Sequence, residues 1–348
     1  MNFLDDAHQH HAVDNGTARC RRRTIVITSL LSVIVGQCTA ILLGRFYYSQ
    51  GGNSKWLATT VTTAGFPALL LPRIFFTSTG LLVHQRKKVT FIFFALGALM
   101  AVDNMLYSIS LLYLSASTFS LICASQLAFT AVLSYFVNSQ KFTFPIVTSV
   151  VLLTLSAALV GVDEDDDTPA GESKARYIAG ILCGIAASAV YALIVSFTQV
   201  LFKKVIKKET FVVVLETQIW TSLVATCMAV IGLIGSGEWR TLGAEMERFG
   251  EGSVVYVTTL VFTALSWQLS SVGALGMIFA VSSLFSNVVS TVALAVLPIA
   301  AVVAFREKMG GTTAIAMLLA VYGFICYVYQ TYVDDRDTRS RRNTAVNT

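Results

Sequence analysis

Long apolar stretches of about twenty residues alternate with short polar breaks along the 348-residue chain. A helix needs about 20 apolar residues to cross the hydrocarbon core of a bilayer. Ten stretches reach this length, and they predict an all-α polytopic membrane protein with ten transmembrane helices. The predicted spans are 24–47, 56–82, 90–113, 117–138, 142–162, 177–202, 210–234, 253–273, 276–303 and 311–332.

Lysine and arginine are divided unevenly between the two sets of span ends. Sixteen of the 25 lie on the side of both termini, eight lie on the opposite side, and Arg73 lies within span two. Because cytosolic loops carry the excess of these residues, both termini are expected in the cytosol. Residues 1–23 are predicted to be a disordered tail, 163–176 an acidic non-cytosolic loop, and 333–348 a second cytosolic tail.

The two halves of the chain resemble each other in hydropathy. Residues 114–166 and 273–335 each hold an apolar stretch that ends in a polar break, followed by a second stretch that ends in acidic residues. Five spans per half invert the second copy relative to the first, since five is odd. Inverted repeats are typical of secondary transporters, whose sites lie near the midplane at the repeat interface. The predicted repeats are 24–162 and 177–332.

Composition narrows the class of protein. Apolar residues make up 55% of the chain and charged residues 13%, which leaves little material for a soluble domain. The four histidines lie outside the spans, and the cysteines form no C-x-x-C pair, so neither a metal site nor a cofactor is expected. Nucleotide-binding and hydrolase motifs are absent, and the basic residues do not form a nucleic-acid patch. A non-enzymatic protein that works by an ion gradient or downhill transport fits best.

Asp103 is the most informative single residue, because it lies near the middle of span three in ALMAVDNMLYSISLLYL. A carboxylate at bilayer depth is costly, so it usually faces a cavity, pairs, or takes part in ion or proton movement. Tyr107 shares its helix face, and Asn104 lies beside it. Together they can hydrogen-bond a polar heterocycle, although an amide such as Asn104 can equally join two helices.

Further polar side chains lie within the apolar stretches. Glu216 is the other acidic residue well inside a span, near Gln218 and Trp220, and it can carry protons, snorkel, or pair with Lys207 or Lys208. Amides in lipid need protein or water partners, and a converging set would suit a ligand rich in ring nitrogens. The candidates of this kind are Gln126, Gln199 and Gln268, with Trp267 as a neighbouring indole.

Proline interrupts two of the spans. Pro67 lies in span two, and Pro298 follows the small-residue run SSLFSNVVS in span nine. Proline removes a backbone donor and kinks a helix, which can create a hinge or line a cavity. Both are gating candidates, although proline is also common in ordinary spans.

Several segments closely resemble the plant purine permease family, a branch of the drug/metabolite transporter superfamily, in the same order and spacing. They are LLGRFYYSQGGNSKWLATTVTTAGFPALLLP (42–72), SLICASQLAFTAVLSYFVNSQKFT (120–143), SGEWRTLGAEMERF (236–249) and GMIFAVSSLFSNV (276–288). The resemblance implies a ten-helix, proton-coupled importer of adenine, cytokinins and related heterocycles. A common family variant has two adjacent aspartates where this chain has Asp103 and Asn104, which leaves proton carrying to Asp103.

Together, the residues and the resemblance give a mechanistic hypothesis. Asp103 would take a proton from the exterior and release it inside as one repeat rocks against the other. Asn104, Gln126 and Gln268 would read the ring edges, while Tyr107, Trp267 and Phe285 would stack on the ring face. Four further residues are expected at the substrate: Gln199, Gln218, Trp220 and Asn287.

Two other functions compete with this hypothesis. A nucleotide-sugar or phosphate-ester exchanger of the same superfamily would need membrane-buried Lys or Arg, and only Arg45 and Arg73 lie within spans. A receptor that binds cytokinin-like ligands without transporting them is the second. The plasma membrane is the expected location, with the endoplasmic reticulum and tonoplast as alternatives, because no retention or lipid signal is identified.

Overall fold

The computed structural model describes residues 2–75, 87–123, 125–138, 143–162, 174–206, 211–306 and 310–346, and every regular element in these ranges is helical. The helices of the first half are α1 (Asn2–Ser49), α2 (Lys55–Ala64), α3 (Leu70–Phe75), α4 (Lys87–Tyr113), α5 (Ala116–Cys123), α6 (Gln126–Asn138) and α7 (Phe144–Val162). Those of the second half are α8 (Lys174–Val200), α9 (Phe211–Ser236), α10 (Leu242–Arg248), α11 (Ser253–Ala280), α12 (Ser283–Phe305) and α13 (Gly311–Val346).

Six helices in the described part of the chain are long and apolar enough to cross a membrane. They are Arg23–Ser49, Lys87–Tyr113, Lys174–Ile206, Phe211–Ser236, Ser253–Ala280 and Ser283–Phe305. Gln126–Val137 and Ala314–Tyr327 are shorter apolar helices. The sequence-based expectation of an all-α, multi-pass protein is therefore confirmed at this level.

The remaining predicted spans are helical but interrupted. In predicted span two, α2 is followed by a 3-10 turn at Phe66–Leu69 and then by α3. The last part of this predicted span, residues 76–82, lies outside the described residues. Predicted span four consists of α5 and α6. The break predicted after residue 273 is wrong, since α11 runs without interruption to Ala280. Gly273 lies inside this helix at a close contact with α1, where a Cβ atom would be 2.7 Å from Ser29 O.

The terminal segments continue the outer helices. Residues 2–23, predicted from sequence as a disordered tail, lie within α1, and α13 extends to Val346. Adding residues to an existing helix requires no new nucleus, so polar segments can prolong it. Most of the predicted acidic loop, residues 163–173, lies outside the described residues.

Helix packing joins the two halves of the chain closely. α1 packs along α11, α4 along α8, α2 along α9, and α7 along α13. A Cβ atom on Gly36 of α1 would lie 2.7 Å from both Ser266 O and Ser270 N of α11. Backbones this close need small residues at the crossing, as is usual between membrane helices.

The two ends of the bundle are called here the upper end, which holds Ser49 and Tyr113, and the lower end, which holds Arg23 and Lys87. At the upper end, the loops 50–54 and 237–252 are joined through two carboxylates. Glu245 accepts hydrogen bonds from the hydroxyls of Tyr47 and Tyr256, and Glu238 accepts one from Ser54 Oγ at 2.6 Å. These bonds fix the ends of α1, α2 and α11 relative to one another.

Candidate functional site

A cavity of about 80 Å³ lies in the interior of the helix bundle. It is called here the central cavity, and its walls come from α1, α2, α4, α5, α6, α8, α11 and α12. Its lining residues are Gln37, Ile41, Thr62, Met100, Asp103, Asn104, Tyr107, Phe119, Gln126, Tyr191, Ile194, Trp267, Ser270, Ser271, Ala274 and Leu294. Both halves of the chain therefore contribute to it.

Asp103 and Asn104 supply the polar wall on α4. The Asp103 side chain is only 4% exposed, and its Oδ1 atom has no hydrogen-bond partner in the described structure. The Nδ2 atom of Asn104 likewise has no partner. A buried polar atom left unpaired is costly, so an occupant of the cavity that pairs with these atoms would be held firmly.

Tyr107 and Gln126 form a hydrogen-bonded pair at the same cavity. The Tyr107 hydroxyl donates to Gln126 Oε1 at 3.1 Å, and the Tyr107 ring meets Phe119 edge to face at 5.6 Å between centroids. This bond leaves the Gln126 Nε2 donor without a partner. Gln126 is the first residue of α6, directly after the break that separates α6 from α5, so the break places the amide at the cavity wall.

Two further cavities adjoin the central one. The upper cavity, about 40 Å³, shares Thr62, Tyr107, Phe119 and Trp267 with it. The lower cavity, about 70 Å³, shares Met100, Tyr191, Ile194, Ser271 and Ala274 with it. The three cavities form a row from one end of the bundle towards the other, and each shares lining residues with its neighbour.

Gln218 and Gln268 lie together beside the lower cavity. Gln218 Nε2 donates to Gln268 Oε1 at 3.1 Å and to Ser222 Oγ at 2.9 Å, and Gln268 Nε2 donates to the Thr63 carbonyl at 3.0 Å. Gln218 lines the lower cavity, whereas Gln268 is not among the lining residues. Both residues stay predictions as substrate contacts, and the structure places Gln218 at a cavity wall and Gln268 directly behind it.

Glu216 forms an ion pair that sequence reasoning missed. Its Oε1 accepts from Arg73 Nε at 3.2 Å and from Arg73 Nη2 at 2.8 Å. The Glu216 side chain is 2% exposed and that of Arg73 is 18% exposed. The signal available in the sequence was the position of Arg73 inside span two, where a buried cation needs an acidic partner. The pair joins α3 to α9 below the 3-10 turn.

Several expected substrate residues contact other helices in the structure. Gln199 Oε1 accepts from the backbone N and the Oγ of Ser283 and so caps α12. Asn287 Nδ2 donates to the Gln126 carbonyl at 3.0 Å and to Thr130 Oγ1. Trp220 and Phe285 pack in apolar clusters and do not line the central cavity.

The two proline candidates lie in different settings. Pro67 is at the first turn of the 3-10 helix that separates α2 from α3, where its missing N–H leaves no bond unmade. Pro298 lies within α12, which continues to Phe305. The chain therefore changes helix type at Pro67.

Charge is sparse around the three cavities. Among the residues that line them, Asp103 is the sole Asp, Glu, Lys, Arg or His. Four lining residues that sequence analysis did not single out are Gln37, Tyr191, Ser270 and Ser271. Gln37, an amide inside span one, carried the same signal as the amides that were recognised.

Comparison with known proteins connects this arrangement to a family. A family model described as purine nucleobase transmembrane transport matches residues 24–337. "Probable purine permease 11" of Arabidopsis thaliana is 55% identical over 92% of this chain and 86% of its own length, and "Purine permease 21" of the same plant is 47% identical over 88% and 80%. A solved protein structure with 17% identity aligns with a TM-score of 0.50 over 86% of this chain and 96% of that one, a likeness of fold alone. The chain belongs to the purine permease family and is a multi-pass membrane transporter, not an enzyme.

Proposed function

We propose that the chain is a proton-coupled importer of purine nucleobases and purine derivatives such as adenine and cytokinins. The observation that carries this proposal is the set of buried, unpaired polar atoms around one cavity: Asp103 Oδ1, Asn104 Nδ2 and Gln126 Nε2. A purine ring presents acceptor nitrogens and N–H donors along its edges, so a carboxyl group and two amide donors complement it. Tyr107, Phe119 and Trp267 offer aromatic surface for its faces.

Asp103 is the proposed proton carrier. It is the one carboxylic acid among the residues that line the cavities, and no Lys, Arg or His lines them with it. Because burial away from water disfavours the charged form of a carboxyl group, protonation and substrate binding would stabilise the same closed state. Release of the proton on the lower side would then free the substrate.

Glu216 is the second proposed proton-coupling residue. Its carboxylate is held by Arg73, so protonation of Glu216 would break an ion pair between α3 and α9. In this role Glu216 would couple a proton to movement of the broken helix that contains Pro67. The gating roles of Pro67 and Pro298 are part of the same proposal.

The proposed architecture is ten spans in two inverted repeats, 24–162 and 177–332, whose spans lie in α1–α7 and α8–α13. Its support is a packing pattern that repeats when the halves are exchanged: α1 with α11 corresponds to α8 with α4, and α4 with α9 corresponds to α11 with α2. Likewise, α6 with α8 corresponds to α12 with α1. The central cavity lies between these pairs, where the sites of inverted-repeat transporters are found.

Alternating access would run along the row of cavities. The excess of Lys and Arg at the lower end supports a cytosolic position for both termini, and in that orientation the upper cavity would open to the exterior and the lower cavity to the cytosol. The remaining substrate-binding candidates divide between positions beside this path and supporting contacts. We propose that Gln218 meets substrate on the inward side, and that Gln199, Asn287, Phe285 and Trp220 hold the walls in place. The plasma membrane is the proposed location.

The rival exchanger of phosphate esters or nucleotide sugars has no support from the cavity walls. Anionic cargo calls for Lys or Arg, and none lines the three cavities in the described structure. A receptor that does not transport is distinguished by experiment.

The test uses the full-length protein in proteoliposomes with radiolabelled adenine and an imposed pH gradient, acid outside. Accumulation above equilibrium that a protonophore collapses is the expected result. Saturable binding without accumulation would identify a receptor, and uptake indifferent to the gradient would contradict proton coupling. Competition by purines, cytokinins and nucleotide sugars then ranks the cargo, and the exchanger predicts that the nucleotide sugars compete best.

A further inference from the structure

The central cavity has a second polar wall, on α11, that matches the wall on α4 position by position. α4 ends at Tyr113 and α11 ends at Ala280. Two residues later in each case a serine caps the next helix: Ser115 Oγ accepts from Thr118 N at 3.2 Å, and Ser282 Oγ accepts from Phe285 N at 3.1 Å. These equivalent ends fix the alignment of the two helices, independently of the residues that line the cavity.

This alignment pairs the cavity-lining residues of the two helices. Counted back from the two helix ends, Met100 corresponds to Trp267, Asp103 to Ser270, Asn104 to Ser271, and Tyr107 to Ala274, and all eight line the central cavity. The same helix face of each half is therefore turned towards the same space.

The pairs also exchange ends, as an inverted arrangement requires. Leu96 of α4 lines the lower cavity and its counterpart Thr263 lines the upper one. Leu111 lines the upper cavity and its counterpart Ile278 lines the lower one. Because α4 packs along α8 while α11 packs along α1, the two faces form separate walls.

Ser270 and Ser271 have hydroxyl groups that are available to a ligand. Serine and threonine in membrane helices usually donate to the carbonyl one turn earlier, as Thr263 on the same helix does to Thr259 O at 2.7 Å. Neither Ser270 nor Ser271 has a side-chain hydrogen bond within the described residues. A free hydroxyl can donate or accept, so it can pair with either a ring nitrogen or an N–H group.

We infer that Ser270 and Ser271 form the second half of the substrate site and read a different edge of the purine ring from Asp103, Asn104 and Gln126. The inference rests on the proposed function, since it deepens the same site. Reading two edges selects for an aromatic bicycle with polar atoms on more than one side. A heterocycle with polar atoms on one edge would satisfy the α4 wall and leave the α11 hydroxyls unpaired.

The experiment is a variant-by-analogue comparison in proteoliposomes. Uptake of labelled adenine is inhibited by adenine and by a set of deazaadenines, each of which lacks one ring nitrogen, for the wild type, Ser270→Ala and Ser271→Ala. Loss of one neutral hydrogen bond predicts a rise in KM for adenine of about three- to tenfold, with little change in maximal rate. For each serine, one deazaadenine should lack the ring nitrogen that the hydroxyl binds. This analogue should inhibit uptake by the wild type weakly, and the serine variant should not weaken its inhibition further.

Ser266→Ala is the matched control, because Ser266 lies one turn earlier on α11 beside Gly36 and lines none of the three cavities. Unchanged KM and an unchanged analogue profile in both serine variants would overturn the inference. The inference would also be overturned if both serine variants weakened inhibition by adenine and by every deazaadenine equally, because that result indicates a packing role. Neither result affects uptake by the wild type, whereas failure of the wild type to transport adenine contradicts the proposed function itself.

Discussion

The guanidinium of Arg73 lies 2.8 Å from the carboxylate of Glu216, although 143 residues separate them in the chain. Arg73 follows the Pro67 turn, and Glu216 lies near the lower end of α9. The ion pair therefore joins α3, the part of predicted span two that follows the 3-10 turn, to α9 in the second half of the chain.

Removing one partner of this pair should destabilise the protein. Glu216→Gln leaves a partly buried guanidinium without its counter-charge, which predicts a loss of about 3 kcal/mol in unfolding free energy. The double variant Arg73→Met with Glu216→Leu should recover most of that loss, because no charge then remains. Thermal unfolding of the purified protein measures both variants. If Glu216 couples protons as proposed, Glu216→Gln should also flatten the pH dependence of uptake, and an unaltered pH profile would leave Asp103 as the sole carrier.

Asp103→Asn should abolish gradient-driven accumulation. The amide keeps the size of the side chain and its capacity to hydrogen-bond but cannot exchange a proton. Exchange of labelled for unlabelled adenine across the membrane, which needs no net proton movement, should persist. Undiminished accumulation against a concentration gradient would disprove the carrier role.

Tyr107→Phe should weaken binding without changing coupling. The hydroxyl fixes the Gln126 amide, with Nε2 left for the cavity. Its loss frees the amide to rotate, which predicts a KM increase of about two- to tenfold. The pH dependence should match that of the wild type, and a changed pH profile would place Tyr107 in the proton path instead.

Met100 and Trp267 should act as opposite gates. Trp267 is shared by the central and upper cavities, and Met100 by the central and lower cavities. In a background without native cysteines, a cysteine at Leu294 should become more accessible to a membrane-impermeant maleimide from the upper side in Trp267→Ala, and from the lower side in Met100→Ala. The controls are Leu269→Ala and Val102→Ala, exposed positions on the same two helices. Equal labelling from both sides in both gate variants would contradict the assignment.

Gly36→Ala should disrupt the contact between α1 and α11. The added methyl group would lie 2.7 Å from backbone atoms of Ser266 and Ser270, and these cannot move aside as a flexible side chain can. The expected cost is about 1–3 kcal/mol. Gly235→Ala is the control, since a Cβ atom there meets nothing within 4 Å, and alanine favours a helix. Equal stability of the two variants would show that α1 and α11 separate at little cost.

Sequence reasoning grouped three residues that the structure places at one wall of the central cavity, while their roles stay predictions. Helical periodicity placed Asp103, Asn104 and Tyr107 on one face, and burial cost implied an interior cavity; both follow from local geometry and solvation. Arg73 could not be connected to Glu216 in the same way. Their contact depends on the turn at Pro67 and on how two distant segments of the chain pack.

The amides show a second limit of sequence reasoning. Gln199 and Gln126 look alike in an apolar stretch, yet Gln199 caps α12 while Gln126 retains a free donor at the cavity. A contact with another helix and a contact with a ligand both supply the hydrogen bonds that a buried amide needs. Only the tertiary arrangement decides which of the two a given glutamine makes. Ser270 and Ser271 were not recognised as substrate candidates from the sequence, because serine is common in membrane helices and usually bonds to its own backbone.

The pairing of Met100 with Trp267 has an energetic consequence. In a perfectly symmetrical inverted repeat, the inward-open and outward-open forms would be related by exchange of the halves and would be equally stable. At two pairs of counterpart positions, the upper boundary of the central cavity has the rings of Tyr107 and Trp267 where the lower boundary has the methyl group of Ala274 and the thioether of Met100. If the proposed inverted repeat holds, we expect the empty carrier to rest facing the cytosol, with the difference in side-chain volume at these two pairs setting that preference.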